Sequence, residues 1–592
     1  GRPACRAGMM LWAAALVAAT IAAGPRTEAV PETNYAAVFH VAPSGSDEKG
    51  DGSASRPWRT VRRALEKARE TAGKGRCAIK VAAGSYHEGT LVLPAHVDLY
   101  GGFDPAGWRR DIHAYRTVLE GAGEARLLVT EGETTLDGFV LTGGRARGPG
   151  GALLCQGCSA RLRNNVFVEN ETLPPQPWNP KELHETAHDG GAIACVAGAA
   201  PQIEQNLFVR NRTQIGRGGA VAFSRSGGVV RGNVFLENRT GVNDPMRSSD
   251  GGAIAVWDWS HPVIEENLIL RNQAGARNDG GGIFVALWSA PLIRRNLIAG
   301  NYADDDGGGL FVGGQKHHYS TPPDPVPPAE KYLVRILGNY IAGNANVAAS
   351  SGALRVTMES RVLFANNVVT GNLGPARFQR SEVTVVNNTF LDPVSYDEVS
   401  DKFRQPLFAN NIFHAAFTAP PGVAVRYSAL PAQYPGEGNL DVRCGFEEAP
   451  WLTVATLTTY RPERFWTEFL IMPSSAPGDL TGRPIRIAAQ WSAVAWHSGN
   501  RLAVWGDFRE DRVLEVFPWF RLRPDSPCID AGSNRDSPDE DREGRKRPMD
   551  GGRGMRVDLG AHEFDPRERE VSSVAAAVCL ARRALPMAVR SA

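Results

Sequence analysis

From Gly150 to His414 the chain keeps rewriting one phrase: Gly-Gly-Ala-Ile or a close variant, then, some fifteen residues on, Asn-x-Phe/Ile-x-x-Asn. Aligned on the second glycine, the first half falls at Gly151, Gly191, Gly219, Gly252, Gly281, Gly308 and Gly352. The second half opens at Asn165, Asn206, Asn233, Asn267, Asn296, Asn339 and Asn367, with degenerate copies at Asn388 and Asn411. A recurring unit of about 20–45 residues builds a solenoid, because each unit buries its apolar face only against its neighbours. Between the two halves, apolar residues such as Ile254 and Val256, or Ile283 and Val285, lie two apart. That spacing belongs to short strands and not to helices.

Two positions past each opening asparagine runs a column of large apolar residues: Phe167, Phe208, Phe235, Ile269, Ile298, Ile341, Val369, Phe390 and Phe413. Such a column suits a parallel β-helix, whose coils stack at the inter-strand spacing of about 4.8 Å. Charges test the register independently. Two before the asparagine, successive coils carry Arg163, Glu204, Arg231, Glu265 and Arg294; four after it, Glu169, Arg210, Glu237 and Arg271. Unlike charges directly opposite attract and like charges repel. Sign alternation in both columns therefore marks in-register neighbours, and it gives these residues an architectural role.

The paired phrases, as in Gly219-Gly-Ala-Val and Phe235-Leu-Glu-Asn238, resemble the repeats of chlamydial polymorphic outer-membrane proteins and of bacterial right-handed parallel β-helix proteins. The stretch from Phe39, FHVAPSGSDEKGDGSASRPWRTVRRALEKA, with VAAGSYHEG and LYGGF, resembles the DUF1565-type entry to pectin-lyase-like β-helices. FRLRPDSPCIDAGS (520–533) and VDLGAHE (557–563) resemble the closing segment of the same secreted proteins. The resemblance implies an all-β, right-handed single-stranded parallel β-helix. It does not select an activity, since one fold hosts many.

The expected organisation is a signal peptide (1–24), an N-terminal cap and first coils (38–125), the repeat body (126–429), an inserted β-rich segment (430–519), a closing motif (520–565) and a tail (566–592). Thr60 is placed to cap a short helix with apolar Val61, Ala64, Leu65 and Ala68, ended near Gly73, which covers the open strand edge. The inserted segment reads as a hairpin or small β-subdomain. Arg2 and Arg6 before an apolar run Leu11–Ala23 fit export to the bacterial cell surface or medium, and no later stretch is long and apolar enough to span a bilayer. Lys+Arg 65 against Asp+Glu 64 gives no basic field for nucleic acid, and a monomer is expected. Cys155 and Cys195 share a core slot and read as buried thiols, with Cys155–Cys158 and Cys444–Cys528 bridges left open.

Function on a rigid scaffold gathers where coils depart from their minimum. At the corner before Gly-Gly lie the insertions 171–188, with Trp178, His184 and His188, and 239–249. There Asp189, Asp250, Asp279 and Asp306 precede the glycines, interrupted by Pro149, Arg217 and Ser350. Asp-Gly is good turn chemistry; the functional alternative is a carboxylate ledge, densest at Asp250, Asp279, Asp304, Asp305 and Asp306, for calcium or acid/base work. At the next corner Trp259 and Trp288 each stand three before a proline and so should stack. The same corner two coils on extrudes loop 313–331, bringing His317, His318 and Tyr319 toward them. Flat aromatic faces take apolar sugar faces; packing of the corner is the alternative.

The functional expectation is a secreted or surface β-helix that binds extracellular polysaccharide or a cell-surface glycan. A lyase, epimerase or hydrolase acting on a uronate-containing glycan is the enzymatic alternative, and an adhesion scaffold the structural one. No Gly-His-Gly with paired Asp and no pectate-lyase arginine signature is present, so no catalytic residue is assigned.

Overall fold

The computed structural model describes residues 34–566, apart from 178, 180–187, 243–248, 315–328, 473–475 and 477. The expected signal peptide and nearly all of the tail, with Trp178 and His184, lie outside the described residues.

The repeat folds as a parallel β-helix. One coil runs Ile254–Trp257 in sheet I, Val263–Glu265 in sheet II, Leu268–Leu270 in sheet III and Gln273–Ala274 in sheet IV. Each strand pairs in parallel and in register with its counterpart one coil on, as Ile254 with Ile283, Ile264 with Ile293, Ile269 with Ile298 and Ala274 with Ala303. Sheets I to IV hold 12, 14, 14 and 7 strands, so the solenoid is one continuous body. The apolar column is fully buried, with Phe167, Phe208 and Phe235 stacked face to face at centroid spacings of 4.9 and 4.7 Å. Both charge columns pair as expected: Arg231 reaches Glu204 at 3.4 Å, Arg294 meets Glu265, and Arg210–Glu169 and Arg271–Glu237 close at 3.1 and 3.3 Å. Arg163 instead turns back to Asp137.

Two asparagine ladders hold the turns flanking sheet III. In the first, the Asn267 Oδ1 accepts both the backbone N–H and the side-chain Nδ2 of Asn233, and the Asn233 Nδ2 also donates to the carbonyl of Ile203, one coil back. In the second, Asn238, Asn272 and Asn301 repeat the arrangement. The residue before each of these asparagines is left-handed, for example Glu266 (φ 57°) and Arg271 (φ 57°). The turns bury backbone groups that no strand ladder reaches, and the amides satisfy them. Asn170, Asn211 and Asn238, each in an Asn-x-Thr sequence, are fully buried in this way and are structural. The second ladder stops at Asp392, whose carboxylate accepts from the Gly371 and Asn372 backbones and from the Asn372 Nδ2.

The N-terminal end is covered by the helix Val61–Thr71, with Thr60 accepting from the Arg63 N–H and Glu88 from the N–H groups of Val61 and Arg62. Its buried residues are those expected: Val61, Ala64, Leu65 and Ala68. The inserted segment is a closed six-stranded barrel, from Trp451–Arg461 to Val513–Val516. Its Trp466, Trp491, Trp505 and Phe517 pack on the outer face of sheet III, against Leu236, Leu268, Leu270 and Leu297. The closing segment runs along the last coils, where Asn366, Asn387 and Asn410 donate to the carbonyls of Glu540, Asp558 and Ser533. Cys444–Cys528 forms, tying together the two chain segments that flank the barrel. Cys155 is bridged to Cys158 and so is not the free core thiol that its slot suggests, while Cys195 is free and buried.

Barrel docking explains a break in the second charge column. The left-handed position filled by Glu169, Arg210, Glu237 and Arg271 becomes Gly300, Gly343 and Gly371 on later coils, where Trp491 lies against the backbone. A Cβ at Gly343 or Gly371 would overlap the Trp491 indole. Gly343→Ala is therefore expected to loosen the barrel while sparing the coils, read as faster proteolysis confined to 445–520. Asn238→Ala removes the partner of a buried N–H, and is expected to lower unfolding free energy by about 2–3 kcal/mol in denaturant melts.

Candidate functional site

The Asp-Gly-Gly corner and the tryptophan corner stand at opposite ends of sheet I. The first glycine of each pair is left-handed (Gly251 φ 79°, Gly280 φ 69°), and a Cβ on the second would strike the next coil's backbone. The carboxylate before them caps its neighbour: the Asp250 Oδ1 accepts the Asp279 N–H (2.9 Å), the Asp279 Oδ1 accepts that of Asp306 (2.9 Å), and the Asp306 Oδ1 accepts the Ser351 hydroxyl (2.8 Å). The turn chemistry and the ledge are thus the same structure. Asp304 accepts the Arg277 N–H at 2.8 Å, and Asp305 is the exposed member. Burial, and then the Asp250 carboxylate, push the Asp279 carboxyl well above the usual range. Burial likewise raises Asp189, against the pull of Arg217.

Arg217, the break in the aspartate column, is the residue that sequence reasoning passed over. Its side chain is 2% exposed and lies between Asp189 and Asp250, at 3.8 and 4.0 Å. Its guanidinium carbon sits 3.7 Å from the Trp257 ring centroid, a cation–π contact that crosses from the ledge toward the aromatic corner. A column of buried like charges is costly, and one arginine inserted into it offsets part of that cost. Four coils on, Arg355 stands 3.6 Å from both Asp306 and Asp397, and burial lowers its pKa. Among the described residues no group of three or more His, Cys, Asp or Glu is arranged to hold a metal ion.

Between the corners the outward positions of sheet I carry a second aromatic row, Trp257, Phe284 and Phe311, stacked at 6.3 and 5.5 Å and nearly covered. Trp257 is signalled by its Trp-x-Trp spacing to Trp259. Trp259 and Trp288 stack as expected, at 5.4 Å and 7°. Their environments differ: Trp259 is half-buried, whereas Trp288 is 4% exposed and meets the edge of Tyr332 at 5.1 Å. Among the described residues the buried Trp288 indole Nε1 has no hydrogen-bond acceptor. Both tryptophans, with Asp258 and Leu287 before them, hold φ between 48° and 62°. An equivalent corner uses Ala197-Gly198. Bulky residues in that conformation cost about 1–3 kcal/mol each and persist where the surroundings dictate them. His317, His318 and Tyr319 lie outside the described residues; the stems of their loop, Gly314 and Ala329–Tyr332, emerge at this corner.

Residues 43–308 match the family model described as "Protein of unknown function (DUF1565)". The DUF1565 likeness stands. Among solved structures, the chain is similar to pectate lyase Pel9A (12% identity, 90% of this chain and 98% of that one, TM-score 0.31) and to XylC in complex with xylose (10%, 89% and 98%, 0.37). It is also similar to the tailspike protein of E. coli bacteriophage HK620 (10%, 81% and 93%, 0.27). At these TM-scores the likenesses carry no argument about what this protein does. No curated protein matches. No helix among the described residues is long and apolar enough to cross a membrane.

Arg217→Ala leaves Asp189 and Asp250 facing each other without a counter-charge, and a loss of about 3–5 kcal/mol in denaturant unfolding is expected. Asp279 acts in the opposite sense. Its folded pKa is raised, so its stabilising share is complete below the usual carboxylate range and is lost as pH rises through the raised value. Asp279→Asn retains an acceptor for the Asp306 N–H. It should match or exceed the parent by about 1 kcal/mol at pH 8, with the difference closing toward pH 4.

Proposed function

We propose that the protein is a secreted or cell-surface β-helix that binds an extracellular polysaccharide at the Trp259/Trp288 corner beyond the end of sheet I, with Trp259 as the sugar platform. The supporting observation is the Trp259–Trp288 stack, held at a corner where four consecutive-pair residues keep left-handed backbone without glycine. Trp288 acts as the buried backing, and Trp259 is the member that meets solvent. Around it, Arg225 paired to Asp258 at 2.8 Å and the exposed His261 supply polar groups for sugar hydroxyls. An apolar face framed by hydrogen-bonding groups is what a pyranose ring requires.

Binding is preferred over turnover because the ledge carboxylates are already engaged as backbone caps. The observation that favours an enzymatic second reading is Asp279, a carboxyl whose pKa burial and the neighbouring Asp250 carboxylate push upward, the direction a general acid needs. On a panel of neutral and uronate-containing glycans, Trp259→Ala is expected to weaken binding roughly tenfold, about 1.4 kcal/mol, with an unchanged melting temperature. Retained affinity in that variant rules out the platform. New reducing or unsaturated ends that appear with the parent and vanish in Asp279→Asn would transfer the assignment to the enzymatic reading.

A further inference from the structure

Where the barrel meets the early coils, its packing on sheet III leaves a cavity of about 240 Å³. On later coils the outward residues of sheet III, Val234, Leu268 and Leu297, are covered by the barrel. The same apolar face continues back through Leu207 and Val166 to Val140, and here the turn of the first barrel hairpin arches over it with Phe465 and Trp466. The walls are therefore apolar on both sides, one supplied by the solenoid and one by the insertion. The volume lies just below the range of ordinary small-molecule sites, so an occupant must be compact.

The mouth is charged, with two arginines and Glu463 in its lining. His113, Arg116 and Arg464 line it. The Arg116 Nη2 donates to the carbonyl of Glu463 at 2.8 Å, and Arg464 lies 5.8 Å from the Trp466 ring centroid. Neither arginine has a carboxylate within ion-pair distance among the described residues. Asp111 is held by the N–H groups of His113 and Ala114, and Glu463 contributes its carbonyl. Burial, and then Arg464, hold the His113 imidazole below its ordinary pKa.

We propose that this cavity binds a compact amphiphilic carboxylate, an aryl-alkyl or medium-chain monocarboxylic acid, with its apolar body between Val166, Leu207, Phe465 and Trp466 and its carboxylate at Arg116 and Arg464. Arginine offers a carboxylate a planar pair of donors, and the apolar walls give the hydrocarbon a dry surface. The site is remote in the fold from the tryptophan corner and does not depend on glycan binding. It draws on both the barrel and the coils, so occupancy also stabilises their contact.

The test is calorimetric titration of the full chain with 4-phenylbutanoate and octanoate, and with 4-phenylbutanamide as the uncharged counterpart. Saturable one-to-one binding of an acid is expected, with the amide roughly tenfold weaker or worse. The double substitution Arg116→Gln with Arg464→Gln, at an exposed and a half-buried side chain, should erase that preference while the free protein keeps a cooperative melt. Val166→Phe, which fills the cavity from the coil side, should abolish binding; Val140→Phe, one coil earlier, serves where Val166→Phe disturbs the barrel. Absence of saturable binding by both acids, equal affinity for acid and amide, or binding that survives the filling substitutions would each overturn the proposal.

Discussion

The hydrogen bond from one asparagine side chain to the next carries the rest of this structure. A β-helix of three-residue strands has more turn than sheet, and the turns along the two ladders flanking sheet III fold a peptide N–H inward, away from water. The amide of Asn233 or Asn238 answers that demand in both directions, accepting from one coil and donating to the other. Because the asparagines are aligned, so are the strands between them, and the register of sheets I and II follows. The aspartate caps at the Gly-Gly corner repeat the device with an acceptor only. They therefore need charge control, and the buried Arg217 contributes it.

Much of this is written in the sequence because it is periodic. Period two within strands, the Phe167–Phe413 column and the alternating Arg and Glu residues each constrain the register, and they agree. The Trp259–Trp288 stack follows from the same alignment. What periodicity does not reveal is which faces are covered. Sheet III is apolar at all three strand positions, as in Leu268-Ile269-Leu270, and such runs mean two buried faces. That signal points to a cover; nothing in the repeat says that the cover is the barrel at 451–516. The replacement of charged residues by Gly300, Gly343 and Gly371 makes sense only once Trp491 is seen against them.

The candidate site divides along the same line. Trp259 and the aspartates are legible as departures from, or columns in, the repeat. The buried state of Trp288 depends on Tyr332, which stands at the far end of the 313–331 insertion, and the role of Arg217 depends on a contact to Trp257 one coil away. Neither relation has a fixed spacing to read. The bridge Cys444–Cys528 is of the same kind, since residues 84 apart in sequence meet because a closed barrel returns the chain to its point of departure.

The ladder that ends at Asp392 has a wider consequence. An asparagine both receives and passes on a hydrogen bond, so each coil presents the next with the same unmet requirement. The Asp392 carboxyl receives three, from the Gly371 and Asn372 backbones and the Asn372 side chain, and has no amide N–H to pass on. Asp392 therefore works as a full stop in a polymer of otherwise equivalent units, and after it the chain continues with Ser428 and Asn439 serving the other ladder alone. The length of this second ladder is thus set chemically, at a single side chain, while the coils run on beyond it to their cap.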